Sequence, residues 1–265
     1  MIISDLQKFD TRPRRMRRNF GPLRTMMYRA LDDLRQGDVR CIQVGAHDGR
    51  MADPLFDELN KGRWSAMLIE PHPVYFSQLQ SRHSGNEKIN CVNVGISDHP
   101  QTMKLYHIDD EIGAGYPRGL RGCASLELSR LEAAIASAIQ RHDLVRKPGD
   151  VTTTDVELVR LDALMAQNGM DGADLIVIDV EGHELAVLDS FDLSEMGASM
   201  LIVECNAANL AQENDYVAVL ETAGFEVFRM NADLYALHPE RMKVPFSVMM
   251  NWIGLQPLTV AQKDA

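Results

Sequence analysis

Val39–Arg50 reads VRCIQVGAHDGR, a short apolar run, Arg40–Val44, that passes straight into a turn with glycines at 45 and 49. In an open α/β sheet, ligands sit beyond the carboxyl ends of the strands, beside the first strand where the strand order reverses. Gly45 suits a sharp turn against a ligand, and Gly49 lets the following helix start close to it. The spacing is G-x-x-x-G, not the G-x-G-x-x-G of a pyrophosphate cradle, and His47 fills the place of the middle glycine. A bulky residue there obstructs backbone approach to two phosphates. A dinucleotide-dependent oxidoreductase shares such a sheet but predicts the missing glycine pattern.

Outward from this turn, short apolar runs alternate with amphipathic ones. Ser65–Ile69, Ile89–Val94, Asp174–Ile178 and Ser199–Val203 read as further buried strands. Between the first two, Leu55, Phe56 and Leu59 share a helical face; after the second, Val74, Phe76 and Leu79 do the same. Helical crossovers of this length return the chain for another parallel strand. A helix over Asn209–Thr222, with Val217 and Leu220 inward, is expected to stop at Gly224. The segments GFEVFRMNADLYALH and PFSVMMNWIGL then predict a terminal antiparallel hairpin. The expected fold is α/β, a mostly parallel doubly wound sheet with a C-terminal hairpin.

Seventy-nine residues, Gly95 to Ala173, separate the third strand from the fourth, more than a crossover needs. This predicts a helical insert over about 100–173. Ser129–Glu132 matches a capping box, and Leu128, Leu131, Ile135, Ala138 and His142 recur at helical spacing. The preceding EIGAGYPRGLRGCAS reads as a Gly-rich mobile loop, and the insert as a lid or substrate-binding element, with an ornamental helical layer as the plainer alternative. The division is a helical and basic arm over 1–39, one catalytic-sized domain over 40–256 and a tail over 257–265.

Of the 265 residues, 45% are hydrophobic and the net charge is −11. Residues 1–40 hold 10 Lys/Arg against 5 Asp/Glu, and the rest hold 17 against 33. An acidic body argues against a nucleic-acid surface. Arg12, Arg14, Arg15, Arg17 and Arg18 form a basic block, either a solvated arm or a contact for an acidic partner. With the apolar Met26, Met27 and Tyr28 behind it, this suggests a homodimer. Cys41, Cys91, Cys123 and Cys205 lie far apart with no zinc spacing and read as reduced thiols. No window approaches the roughly 18 apolar residues of a membrane span, and MIISDLQKFD lacks a secretory signal's features, so a cytoplasmic location is expected.

Glu70 ends the second strand 25 residues after Gly45, where an acid accepts hydrogen bonds from both ribose hydroxyls. Ser97 and Asp98, after the third strand, are placed to meet an adenine amino group, although Ser-Asp is also common turn chemistry. A nucleoside site without a phosphate cradle points to S-adenosylmethionine. VGAHDG, IEPHP, NVGISD and above all LIVIDVEGHE (Leu175–Glu184), followed by Leu188, resemble the FkbM-type family of S-adenosylmethionine-dependent methyltransferases. The likeness covers roughly Arg40 to Glu204 and is least in the insert. It implies a Rossmann-like class I methyltransferase fold in which the second-strand acid binds ribose and the first turn wraps the methionine end of the cofactor. Carried over, this implicates Gly45, His47, Gly49 and Glu70, with Ser97 and Asp98 near the adenine. The family usually has an acid where Gln43 stands and Asn where His47 stands. Gln43 can still meet the ligand's ammonium through its carbonyl, without the charge.

Methyl transfer is an in-line displacement on an already activated donor, so positioning is most of what the protein supplies. A hydroxyl acceptor also wants a base whose pKa lies near working pH. Asp179, Glu181 and His183 are the candidates; strand alternation predicts that Asp179 and Glu181 point the same way with Val180 behind. Glu184 reads more simply as a carboxylate at a helix N-terminus, and His183 has the plainer reading of a backbone-bonded loop histidine. His47 and His142 are rival bases. Asp179, Glu181 and Glu204 would also suit Mg²⁺, though no ligand spacing marks such a site. The expected activity is O-methylation of a hydroxyl on a small molecule: a sugar, glycolipid or secondary metabolite. A non-catalytic binding protein of the same fold is the competing reading.

Overall fold

The computed structural model describes residues 21–206 and 210–243. The Arg-rich block, the PFSVMMNWIGL segment and the tail lie outside these residues.

The chain begins with α1 (Gly21–Leu34) and enters β1 (Arg40–Val44), α2 (Phe56–Leu59), β2 (Ser65–Ile69), α3 (Pro73–His83) and β3 (Ile89–Val92). After a long intervening segment come α6 (Leu161–Gln167), β8 (Leu175–Ile178), α7 (Glu184–Leu188), β9 (Met200–Glu204), α8 (Glu213–Thr222), β10 (Glu226–Met230) and β11 (Asp233–Leu237). The central sheet runs β10-β11-β9-β8-β1-β2-β3. β1, β2, β3, β8 and β9 are parallel, and β11 joins β9 antiparallel. Strand order therefore reverses between β1 and β8.

β1, β2, β8 and β9 are near-continuous apolar runs because both faces are covered, whereas the edge strand β3 is half-exposed. Ile42, Val44, Met67, Ile69, Ile176, Ile178, Leu201 and Val203 face one core with α6, α7 and α8. The alternate residues Cys41, Ala66, Leu68, Leu175, Val177, Met200 and Ile202 face a second core with α1, α2 and α3. Met27 and Tyr28 are buried in that second core. They pack inside the chain's own core and are not available to the expected dimer contact, while Met26 is half-buried. On α3 only Leu79 is buried, and Val74 is exposed; on α8 it is Tyr216 with Leu220, not Val217, that is buried.

GFEVFRMNADLYALH, expected as one strand of the terminal hairpin, is a hairpin by itself; its expected partner PFSVMMNWIGL lies outside the described residues. β10 and β11 both fall within GFEVFRMNADLYALH, paired from Glu226↔Leu237 to Met230↔Asp233. The chain reverses at Asn231, whose φ of 60° is a conformation Asn tolerates.

The insert is not simply helical. It builds a mixed four-stranded sheet, β4-β7-β5-β6, from β4 (Gly95–Ile96), β5 (Gln101–Ile108), β6 (Ala124–Ser125) and β7 (Val151–Val159), with α4 (Arg118–Arg121) and α5 (Leu128–His142) packed on it. β5 and β7 pair over eight residues. EIGAGYPRGLRGCAS, expected as a loop, folds into a 3₁₀ turn, α4 and β6. α5 buries Leu131 and Ile135 as predicted, but its N-cap is Glu127 and makes no side-chain capping bond. Ser125 Oγ accepts the Glu127 amide at 3.1 Å and starts the helix early, so Ser129 falls inside the first turn and Glu132 instead pairs with Arg146. All four cysteines are free thiols. Among the described residues no helix is long and apolar enough to cross a membrane.

Candidate active site

A cavity of about 310 Å³ opens at the carboxyl ends of β1, β2, β8 and β9, at the reversal of strand order. One side is the β1 turn. Gly45 and Ala46 both donate to Ile69 O, at 2.9 and 3.0 Å, which folds the turn over the end of β2. Gly45 has φ +86°, and a Cβ there would stand 1.8 Å from the Asp179 carbonyl oxygen. Its glycine is required by the neighbouring strand end as much as by any ligand. Gly45→Ala is expected to cost at least about 2–4 kcal/mol in chemical denaturation, the range of substitutions that force a backbone clash at a special φ; unchanged stability would mean the β1 and β8 turns are farther apart. Gly49, φ +66°, makes room for Leu79 of α3 and lies outside the cavity wall. No helix starts there.

His47 lines the cavity with φ 48°. That left-handed conformation is one that Asn, Asp and His tolerate best. Its ring stacks on Tyr75 with centroids 3.8 Å apart, and burial lowers its pKa. Asp48, buried behind it, accepts the amides of Arg50 and Met51 and faces Arg118 at 3.5 Å, pinning the turn to the insert.

Glu70 is buried at the end of β2 and lines the cavity. Its two oxygens accept the His47 and His72 amides, each at 2.8 Å. Burial nevertheless raises its pKa to about 7, against the opposing pull of those two N–H donors.

Across the cavity stand Asp179, Glu181, His183 and Glu204. β8 ends at Ile178, so simple strand alternation does not bring Asp179 and Glu181 together. Glu181 adopts φ 53° and Gly182 φ 113°, and this left-handed turn carries the second carboxylate round to the first. Carboxylate oxygens of Asp179, Glu181 and Glu204 lie within 4.8 Å of one another. Asp179 is reached by solvent through the cavity yet walled by protein elsewhere. Enclosure first, and then repulsion by its acidic neighbours, raises its proton affinity and that of Glu204. Glu181 is pushed up to about 7 by burial and by Glu204 and Glu184. The trio suggested in the sequence for Mg²⁺ is thus spatially real, and its raised proton affinities describe a cluster that shares protons.

Glu184 folds back on this turn. Its fully buried carboxylate accepts Gly182 N at 3.0 Å and Val180 N at 3.3 Å, and Tyr216 donates to it at 3.1 Å. It holds the loop that presents Glu181, a role beyond that of a charge at a helix start.

Ser97 and Asp98 do not line the cavity. Ser97 is fully buried, with Oγ 3.0 Å from His183 Nε2 and donating to Asp98 Oδ1 at 3.0 Å. The carboxylate only accepts, so the one hydroxyl proton is committed to it and His183 must donate from Nε2. Nδ1 is left as the imidazole's acceptor. Burial lowers the His183 pKa below its usual value, so the ring is neutral at pH 7. Asp98 itself is exposed at the surface beside His99. His142 is exposed at the end of α5 and away from the cavity wall.

Two side chains were missed in the sequence. Tyr75 sits beside residues chosen for an inward helical face, and nothing marks it as the cavity residue. Asp53 is bonded to Gln43 ten positions away. The insert supplies a wall through Leu105, Gly122, Cys123, Ala124, Leu126 and Leu158.

A doubly wound sheet with its cavity at the strand-order reversal, an acid at the second strand end and no phosphate cradle defines a methyltransferase-like α/β enzyme. The chain belongs to the FkbM methyltransferase family: the methyltransferase FkbM domain matches residues 43–230. No curated protein matches the sequence. Among solved structures it is similar to an FkbM methyltransferase from Methylobacillus flagellatus, at 16% identity and a TM-score of 0.45 over 76% of this chain. The match takes in 44% of that protein, so this chain spans less than half its length. It is also similar to precorrin-6y C5,15-methyltransferase from Geobacter metallireducens, at 11% identity and a TM-score of 0.40, covering 87% of this chain and 93% of that one. Fibrillarin from Aeropyrum pernix, solved with bound S-adenosyl-L-methionine, matches at 10% identity and a TM-score of 0.34, over 75% and 66% of the two chains.

Proposed function

We propose that this methyltransferase uses S-adenosylmethionine to methylate a hydroxyl of a small polar acceptor, such as a sugar, glycolipid or secondary metabolite. The observation that carries this reading is the sharing of one cavity by a buried strand-end carboxylate, Glu70, and a proton-accepting group, Asp179, Glu181 and His183. The wall fits the cofactor: Glu70 retains a lone pair on each oxygen for ribose hydroxyls, and Ile96, Leu105 and Leu158 offer an apolar surface for a base. When bound, S-adenosylmethionine supplies an electrophilic methyl carbon. The protein's own part is to orient the acceptor oxygen and take its proton.

Glu181 is the residue assigned to take that proton, because its pKa of about 7 lies at working pH and it borders the cavity. Asp179 and Glu204 hold the acceptor's hydroxyls, and His183, fixed by Ser97, directs Nδ1 as a further acceptor. One second reading has an observation behind it: the free Nδ1 of a neutral His183 can itself be the base. The pH dependence separates them. With Glu181 as base the acid limb of turnover has its midpoint near pH 7; with His183 it lies below about 6.5. His183→Ala is expected to leave S-adenosylhomocysteine affinity unchanged while lowering turnover and leaving the limb in place.

The test of the function is transfer of labelled methyl from S-adenosylmethionine to a panel of hydroxylated acceptors across pH 5–9. Labelled methyl ether on at least one acceptor supports the reading. Labelling confined to amine or carbon acceptors contradicts hydroxyl specificity, and no labelling alongside intact cofactor binding supports a non-catalytic protein of this fold.

A further inference from the structure

At the β1 end of the cavity stand a neutral amide, Gln43, and a carboxylate, Asp53, each with one buried oxygen that no protein group meets. We propose that Asp53 supplies the negative charge here, and that Gln43 Oε1 and Asp53 Oδ2 together seat the α-ammonium of the cofactor's aminoacyl end. The inference rests on reading the cavity as the S-adenosylmethionine site.

Gln43 is 3% exposed, and its Nε2 donates to Asp53 Oδ1 at 3.2 Å. A carboxylate only accepts, so the amide nitrogen is the end that faces it and Oε1 is the end turned away. Oε1 is buried with no hydrogen-bond partner in the protein. Asp53 Oδ1 also accepts the Leu55 amide at 2.8 Å, which fixes the carboxylate, and Oδ2 is likewise buried without a partner. Both residues line the same cavity as Glu70. Buried acceptors are ordinarily satisfied, so two unsatisfied ones on neighbouring side chains in one cavity call for a ligand with several donors. An ammonium has three N–H donors, no acceptor and the charge that Asp53 needs. The nearby cation, Arg24 of α1, is hydrogen-bonded to Tyr235 and acts on Asp53 only through its field.

Two ligands separate this seat from the rest of the site. S-adenosylhomocysteine carries the aminoacyl end; 5′-methylthioadenosine has the adenosine and thioether but lacks it. In calorimetric titrations of the full chain, Asp53→Asn is expected to weaken S-adenosylhomocysteine by roughly tenfold or more, and to leave methylthioadenosine within about twofold. Unchanged methylthioadenosine binding also shows that the variant is folded. The double variant Gln43→Glu/Asp53→Asn places a carboxylate on strand β1 and is expected to recover most of the lost affinity. S-adenosylhomocysteine binding untouched by Asp53→Asn, or both ligands weakened alike, would overturn the seat while leaving the cofactor assignment standing. Failure of both ligands to bind the unaltered protein would overturn the cofactor assignment itself, and the seat with it.

Discussion

Glu70→Gln is expected to lower affinity for S-adenosylhomocysteine by at least roughly tenfold, because charge-assisted hydrogen bonds to the ribose hydroxyls are worth about 1.5–3 kcal/mol. The substitution also puts an amide N–H against one of the two backbone donors, His47 N or His72 N, that the carboxylate now accepts. Its effect on stability depends on pH. The folded pKa of about 7 lies above the ordinary 4.5, so between those values the folded chain holds a proton that the unfolded chain has released. That stabilisation is complete below about pH 4.5 and is lost as pH rises through about 7; at 1.36 kcal/mol per pKa unit its ceiling is about 3 kcal/mol. Urea denaturation at pH 5 and pH 8 should therefore show a smaller pH difference in Glu70→Gln than in the parent. Affinity for S-adenosylhomocysteine in the parent should rise over the same interval, since ribose binding favours the ionised carboxylate. Equal affinity in the variant and the parent would remove Glu70 from the site.

Glu181→Gln is expected to lower turnover by about 10²–10⁴-fold while raising stability at pH 8 by about 1–2 kcal/mol. The two effects share one cause. Burial beside Glu204 and Glu184 makes ionised Glu181 costly to the fold, and the same raised proton affinity makes it a suitable base. The sign matches that for Glu70: stability linked to this proton is present below about pH 4.5 and lost through about pH 7. The neutral amide removes that loss together with the base, the trade expected where a fold carries strain for function. Turnover against acceptor and urea denaturation at pH 8 check both halves. Retained turnover with reduced stability would make Glu181 a structural residue and move the proton to His183.

The central sheet was legible because β1, β2, β8 and β9 are buried on both faces, so their short apolar runs announced themselves directly. The insert's sheet was hidden because β5 and β7 are half-exposed and mix charged residues with their apolar ones. VTTTDVELV, rich in β-branched residues, was the signal available there. The turn inside GFEVFRMNADLYALH was not legible because Asn231-Ala232 is a weak turn signal within a segment read as one strand. In the candidate site, Glu70, Asp179 and Glu181 were legible as cavity-lining residues from their places at strand ends. What brings Glu181 to Asp179, though, is a left-handed turn that no spacing rule encodes. Ser97 and Asp98 looked like adenine partners from their position after the third strand; the Ser97 hydroxyl instead meets His183, 86 residues distant in sequence, and Asp98 lies at the surface beside His99. Asp53 was invisible as a partner for the same reason, since its role depends on which end of the Gln43 amide is left unsatisfied.

Calorimetric titration of the purified chain with S-adenosylhomocysteine, with NAD beside it, tests the central claim most directly. The account predicts saturable binding of S-adenosylhomocysteine at one site per chain and no heat of binding from NAD. Binding of NAD in its place, or of neither compound, would contradict the assignment of this cavity to an S-adenosylmethionine-dependent methyl transfer.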